Sequence, residues 1–301
     1  MTPHRPTGDV TVATKCSTTL FYQYRRDVLR RSVHDGVGIV TDDVGDGETV
    51  LLLHGWPDTA ALWDEVGAGL VASGMRVLAP DLRGCGRSDK PEAVSAYAMG
   101  HLVADVLAML DEAGVATAHV VGHDWGAALA WAVATFAPER VTSLAALAVG
   151  HPTAFRSAGI EQQLKSLYTQ VFIRDGVGEA FVSQRDYELL RTWFAHPRAA
   201  SVIAELERDG QLHTHLNWYR ANLPADAFLV EPPRLPPVLA PTLGVWSSGD
   251  RALSESQMVE SGRYCANGFT YVRLEGYGHW FPLEAPEEVT KVLRDFQARV
   301  A

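Results

Sequence analysis

The sequence predicts an α/β fold: a mostly parallel central sheet flanked by helices, with one helical insertion. Three observations predict it. Short apolar runs alternate with amphipathic helical stretches up to residue 150, the alternation stops over 151–236, and it resumes at 242. Strand, helix, strand in this rhythm is the pattern of crossover units in a parallel sheet. Runs such as TVLLLHG (49–55) show no polar alternation, as expected of a strand covered on both faces. The 301 residues, 47% hydrophobic and 21% charged, suffice for one large domain or a core plus an insertion.

Element by element, residues 1–30 are polar, with basic pairs at Arg25-Arg26 and Arg30-Arg31, and read as an N-terminal extension without assigned function. RRSVHDGVGIVTDD (30–43) reads as a strand hairpin, because Asp35-Gly36 suits a tight turn with positive φ. TVLLL is the next strand. DTAALWDEVGAGLVASG (58–74) carries Leu62, Trp63, Val66 and Leu70 at helical spacing, with Asp58 expected as its N-cap. MRVLAPD (75–81) is a strand, and 97–115 a helix on the face of Leu102, Val106, Leu107 and Leu110. AHVVGHD (118–124), WGAALAWAVATFAPER (125–140) and VTSLAALAVG (141–150) read as strand, helix, strand. Residues 151–236 read as amphipathic helices rich in aromatic side chains, closing in the proline-rich EPPRLPPVLAPT (231–242). TLGVWSSGD (242–250), a helix near 254–266, FTYVRLEG (269–276) and a final helix from Pro286 complete the chain. The expected division is an extension (1–30), an α/β core (31–150 and 237–301) and a helical cap (151–236).

Composition excludes several classes. A net charge of −10 leaves no electrostatic footprint for nucleic acid. Cys16, Cys85 and Cys265 are too scattered for a disulfide framework or a zinc site, and Cys85 reads as a plain thiol. No apolar run approaches the length of a membrane span, and the N-terminus lacks the apolar core of a signal peptide. A soluble, cytoplasmic protein is expected.

The chemistry concentrates in VVGHDWGAALA (120–130). Gly122 and Gly126 frame a sharp strand-to-helix turn of the G-x-S-x-G type, but its central residue is Asp124. A carboxylate there can attack an electrophilic carbon and form an ester. Hydrolysing that ester takes a base, normally histidine, with an acid to fix its tautomer. Both follow in order: Asp250 after the run TLGVWSSG, and His279 in EGYGHWF (275–281). GHPTA (150–154) offers no competing carboxylate after the preceding strand. The ester's tetrahedral oxyanion needs donors, expected from the backbone amides of Trp125 and of Trp56 in HGWPD (54–58), a loop Pro57 helps to lock. His54 and His123 read as loop-orienting residues, and His151, His213 and His215 as cap or loop surface.

HGWPD (54–58), DLRGCGRSDKP (81–91), GHDWGAALAW (122–131), Asp250 and GYGHW (276–280) together resemble the α/β-hydrolase-fold epoxide hydrolases of the soluble and microbial type. The resemblance spans about residues 31–297 and implies that fold. HDWG with HGWP is shared with the related haloalkane dehalogenases. In the resembling family two cap tyrosines donate to the epoxide oxygen. LNWYR (216–220) carries that role onto Tyr219, and SLYTQVFIRDGVGE (166–179) carries it onto Tyr168, with Asp175 where the family often has proline. The resemblance implies conversion of an epoxide and water to a vicinal diol through a hydroxyalkyl ester on Asp124. It implies a small apolar epoxide as substrate, no cofactor or metal, no nucleic acid, no membrane insertion, and a monomer or homodimer. Phe155, Phe172, Phe181, Trp193 and Phe194 read as cap packing or cavity lining. A haloalkane or haloacid dehalogenase remains open, with the Trp125 indole and Asn217 or Trp218 as halide donors. Fluoroacetate-type dehalogenases resemble H-D-R-G at the elbow, and Trp125 in place of that Arg counts against a carboxylate-bearing substrate. A catalytically silent ligand-binding hydrolase fold is the third alternative.

Overall fold

In the computed structural model, which describes residues 28–232 and 234–300, strands β1 (Val28–His34) and β2 (Val37–Val44) form the expected hairpin. Its turn is Asp35-Gly36, with φ of 49° and 76°. β1 covers Val28–His34, so residues 28–30 of the expected extension belong to the sheet, and the rest of that extension lies outside the described residues. β3 (Thr49–Leu53), β4 (Arg76–Asp81), β5 (Ala118–His123), β6 (Val141–Leu147), β7 (Thr242–Ser247) and β8 (Phe269–Leu274) complete one eight-stranded sheet in the order β1-β2-β4-β3-β5-β6-β7-β8. The β1–β2 and β2–β4 pairings are antiparallel and all others parallel.

Burial on both faces explains the unbroken apolar text of the central strands. Val50 and Leu52 of β3 join one core cluster with Trp63, Val66 and Phe296, while Leu51 and Leu53 join the other with Val106, Leu110 and Trp131. Successive side chains of a strand point to opposite faces, so one run feeds two cores. Helices α1 (Asp64–Val71), α2 (Met99–Glu112) and α3 (Trp125–Phe136) follow β3, β4 and β5 in turn. The chain runs from β3 outward to β4, then crosses back to β5 on the other side of β3. Loops leaving β3 and β5 therefore meet at the carboxyl edge, where such sheets bind ligands.

Asp58 does not cap a helix. Thr59 Oγ1 accepts from Ala61 N–H and caps a 3-10 turn (Ala60–Trp63) that precedes α1. Asp58 N–H donates to Gly55 O (2.9 Å), closing a turn whose buried carboxylate accepts from Trp280 Nε1–H (2.8 Å).

Between β6 and β7 the described residues form six α-helices: α4 (Pro152–Ser157), α5 (Ile160–Lys165), α6 (Thr169–Phe172), α7 (Val177–Glu188), α8 (Ala199–Glu207) and α9 (Gln211–Asn222). α7 is broken at residues 184–187, where Arg185, Asp186 and Tyr187 take φ of 51°, 54° and 57°. His151 and His215 are buried, against the surface position their polarity suggested; His213 is half-buried beside Glu179. His151 stacks on Tyr264 (4.3 Å, 9°) and caps α4 through Thr153 N–H. His215 sits on α9, a helix enclosed on nearly every face, against the buried Cys85. No described helix is long and apolar enough to cross a membrane. Beyond β7 come α10 (Glu255–Val259), α11 (Phe281–Glu284) and α12 (Pro286–Val300).

The start of α3 presses directly on β3, since a Cβ at Gly126 would run into the Leu53 carbonyl, and one at Gly122 into the Gly126 carbonyl. Overpacking at such a contact costs about 1–3 kcal/mol. Gly126→Ala is therefore expected to lower the urea unfolding free energy by about that amount. Gly100→Ala in α2, where an added Cβ meets nothing within 4 Å, should be neutral or slightly stabilising.

Candidate active site

β5 must become α3 within a single residue, and that residue is Asp124, at φ 54° and ψ −122°. Positive φ is strained for a non-glycine residue, and surrounding contacts must hold it there. Asp124 O accepts from Ala127 N–H (2.9 Å) and Ala128 N–H (3.1 Å), so the carbonyl turns into the helix while the side chain points out over the sheet edge. Glycine at 55 is required by the same approach, because a Cβ there would strike the Asp124 side chain.

The expected partners converge on this carboxylate. Trp56 N–H donates to Asp124 Oδ1 (2.7 Å) from the loop after β3, whose Trp56-Pro57 bond is cis. The Trp125 amide opens α3, and first-turn amides have no partner within their own helix. His279 Nε2 faces Asp124 Oδ2 at 3.6 Å, and its Nδ1–H donates to Asp250 Oδ2 (2.7 Å). Asp250 Oδ1 accepts from Ala252 N–H (2.8 Å) and Leu253 N–H (2.9 Å), which anchors the acid. His123 Nε2–H donates to His279 O (2.9 Å), and His54 Nε2 accepts from Leu82 N–H (2.9 Å); both histidines orient loops.

Burial opposes charge on His279, but the carboxylates of Asp250 and Asp124 outweigh it and push the imidazole up to about 10. Burial likewise opposes ionisation of Asp250, yet His279 and the two backbone amides hold its carboxyl below the usual range. His123 is driven down to about 4 by burial and by the neighbouring His279 charge, so it stays a neutral donor.

Above the carboxylates stand two phenols. Tyr219 comes from α9, which is tied to the core by Trp218 Nε1–H on Arg83 O (2.9 Å), Thr214 Oγ1–H on Gly84 O (2.6 Å) and Met99 N–H on Asn222 Oδ1 (2.8 Å). Its ring stands perpendicular to Trp125 (5.0 Å) and Phe172 (5.2 Å). Tyr168 follows α5 and is held edge-on by Phe172 (5.1 Å) and Phe194 (5.1 Å); Asp175 is exposed before α7 and does not disturb it. The two hydroxyls interact with each other, and burial together with the Asp124 charge raises both well above the ordinary phenol range. Asp124, Trp125, Tyr168 and Tyr219 share an apolar cavity of about 280 Å³.

All seven residues expected at the site thus meet in one place. Of the aromatic candidates, Phe155 lines the cavity, Phe172 and Phe194 pack on the tyrosines, and Phe181 and Trp193 line a separate surface depression. Trp218 and Asn217 are committed elsewhere, the indole to Arg83 O and the amide to Glu92 O, and neither lines the cavity. Sequence reasoning missed a buried cluster behind His279. Asp58 holds the Trp280 indole and also bonds His196 Nε2 (3.2 Å), and the Trp280 ring stands edge-on to His279 (4.9 Å, 87°). The HGWPD motif flagged Asp58, but nothing in the sequence pairs it with His196.

A family model described as alpha/beta hydrolase fold matches residues 48–286, and the chain belongs to that family. The AB hydrolase superfamily protein YfhM of Bacillus subtilis (strain 168) is 32% identical over 263 residues, covering 83% of this chain and 90% of that protein. Epoxide hydrolase 3 of Xenopus tropicalis is 31% identical over 268 residues, covering 82% of this chain and 70% of that protein. The crystal structure of epoxide hydrolase A from Mycobacterium thermoresistibile superposes with a TM-score of 0.73 at 27% identity, over 89% of this chain and 97% of that one.

With its pKa raised above the ordinary 6.5, His279 contributes stability that is full below 6.5 and lost as pH rises through about 10. Asp124→Asn removes one of the two carboxylates responsible. Its imidazole titration, followed by NMR, is expected to move down by about one pH unit or more. An unchanged midpoint would show that Asp124 does not act on His279.

Proposed function

We propose that the chain is an epoxide hydrolase that converts a small apolar epoxide and water to a vicinal diol through an ester on Asp124, with residues 151–236 as a cap over the core. The observation that carries this reading is the pair of phenols, Tyr219 buried and Tyr168 half-buried, that share one apolar cavity with the Asp124 carboxylate. The relatives and solved structures named as epoxide hydrolases support it.

In the first step Asp124 attacks a ring carbon. A C–O bond forms, the bond from that same carbon to the ring oxygen breaks on the face opposite the attack, and its electron pair moves onto the ring oxygen. That oxygen takes a proton from Tyr168 or Tyr219, whose elevated pKa keeps them protonated until negative charge develops. Esterification abolishes the Asp124 charge, so one of the two carboxylates holding the proton on His279 disappears. The imidazole then releases its proton, which restores the tyrosine through solvent, and becomes a base. In the second step His279, oriented by Asp250, takes a proton from water as the hydroxide adds to the ester carbonyl. The oxyanion forms where Trp56 N–H already donates to Asp124 Oδ1, with Trp125 N–H as second donor. Collapse breaks the bond between the carbonyl carbon and the diol oxygen, and that oxygen takes the proton from His279. The Asp124 carboxylic acid so formed passes its proton to His279, which restores the starting carboxylate and imidazolium.

Single-turnover reaction in heavy-oxygen water tests the ester. The first diol released should carry no solvent label, because its new oxygen comes from Asp124, and His279→Gln should accumulate a covalent adduct. Solvent label in that first diol would overturn the mechanism. Replacing Tyr219 by Phe should slow ester formation from an epoxide by about 10²-fold while leaving any cleavage of a haloalkane nearly unchanged. Equal losses on both substrates would remove the phenol from the chemistry.

A further inference from the structure

We propose that Gln162 and Lys165, on α5 of the insertion, are positioning residues for ester hydrolysis, acting through the loop that carries Asp250. The proposal rests on the two-step reading above and adds to it a link between the insertion and the acid of the core.

Gln162 is fully buried, and every hydrogen-bonding position of its amide is used. Its Nε2 donates to Ala252 O (3.0 Å) and to Ser166 Oγ (2.9 Å). Its Oε1 accepts from Ser254 N–H (2.8 Å) and Ser254 Oγ–H (2.9 Å). One turn further along, Lys165 Nζ donates to Asp250 O (2.7 Å) and Leu253 O (3.3 Å). These contacts fall on the peptide groups that fix the acid. The peptide linking residues 252 and 253 gives its N–H to Asp250 Oδ1 and receives Gln162 on its carbonyl. A hydrogen bond at the carbonyl polarises the amide and strengthens it as a donor to the carboxylate. The peptide linking 253 and 254 is gripped at both ends, by Lys165 and the Trp246 indole on the carbonyl and by Gln162 on the N–H.

The core holds the loop by Gly249 N–H on Tyr277 O (2.9 Å), Asp250 N–H on Ser247 O (3.1 Å) and the Trp246 indole on Leu253 O (3.2 Å). The insertion adds the bonds from Gln162 and Lys165 to the loop's remaining peptide groups. α5 also leads directly into Tyr168, and Ser166, which Gln162 holds, accepts from Thr169 Oγ1–H (2.7 Å) at the start of α6. Freeing the loop leaves Asp124 and its oxyanion donor untouched but lets Asp250, and with it His279, drift from the ester.

The test separates the two steps. For a covalent two-step enzyme kcat/KM reports ester formation, whereas a slower hydrolysis lowers kcat and KM together. Gln162→Met, which keeps the side-chain volume and removes the amide, should slow ester decay by about tenfold to 10²-fold, as small misplacements of a catalytic group do. The quenched ester fraction, measured by intact-protein mass spectrometry, should rise, and kcat/KM should stay within about twofold of the parent. Lys165 is only half-buried, so Lys165→Met carries the same test if Gln162→Met does not fold, and Lys165→Arg, which retains donors, should recover ester decay. A variant that loses kcat with KM and the ester decay rate unchanged would mark a purely structural clamp and overturn the proposal. Absence of any adduct in both the parent and His279→Gln enzymes would instead overturn the two-step reading, and this role with it.

Discussion

The site depends on the close contact between the start of α3 and the end of β3. Asp124 is held at positive φ because Gly122 and Gly126 allow the helix backbone to lie against Leu53 and His54, and because Gly55 leaves room for the carboxylate. The strain is local, but the rest of the structure over-determines it. Loops from β3 and β5 meet at the carboxyl edge of the sheet, so the amide of Trp56 reaches the side chain presented by Asp124. A side chain on any of these glycines would move the nucleophile away from its donor.

A second constraint is electrostatic. Two carboxylates flank one buried imidazole, and the balance of burial against attraction leaves His279 with a strongly raised proton affinity. In the proposed reaction this arrangement has a direction: neutralising Asp124 as an ester weakens the hold on the proton only when a base is needed. The apolar rings of Phe172, Phe194 and Trp125 around the phenols add to it, because desolvation keeps Tyr168 and Tyr219 protonated.

The elbow and the order of Asp124, Asp250 and His279 were legible because each lies in a short local motif at a strand end. The sheet was legible because burial on both faces writes itself as apolar runs. Local reading failed where distant contacts override residue type. Asp58 has the composition of an N-cap, yet the turn over Pro57 aims it inward at Trp280 and His196. His151 and His215 look like surface residues, but their neighbours in the fold, Tyr264 and Cys85, enclose them. Nothing in IEQQLKS separates Gln162 from Gln163, although one is fully buried and the other is not.

By itself the sequence determined the alternation of strands and helices, the place of the insertion and the chemical identity of the elbow, because these follow from periodicity and from residue types adjacent along the chain. Only the tertiary structure decided what supports the residues that the motifs and the resemblance had named. His196, in a loop, and Gln162, on α5, reach Asp58 and the Asp250 loop through hydrogen bonds between segments far apart in sequence, and such pairings leave no periodic trace in the chain.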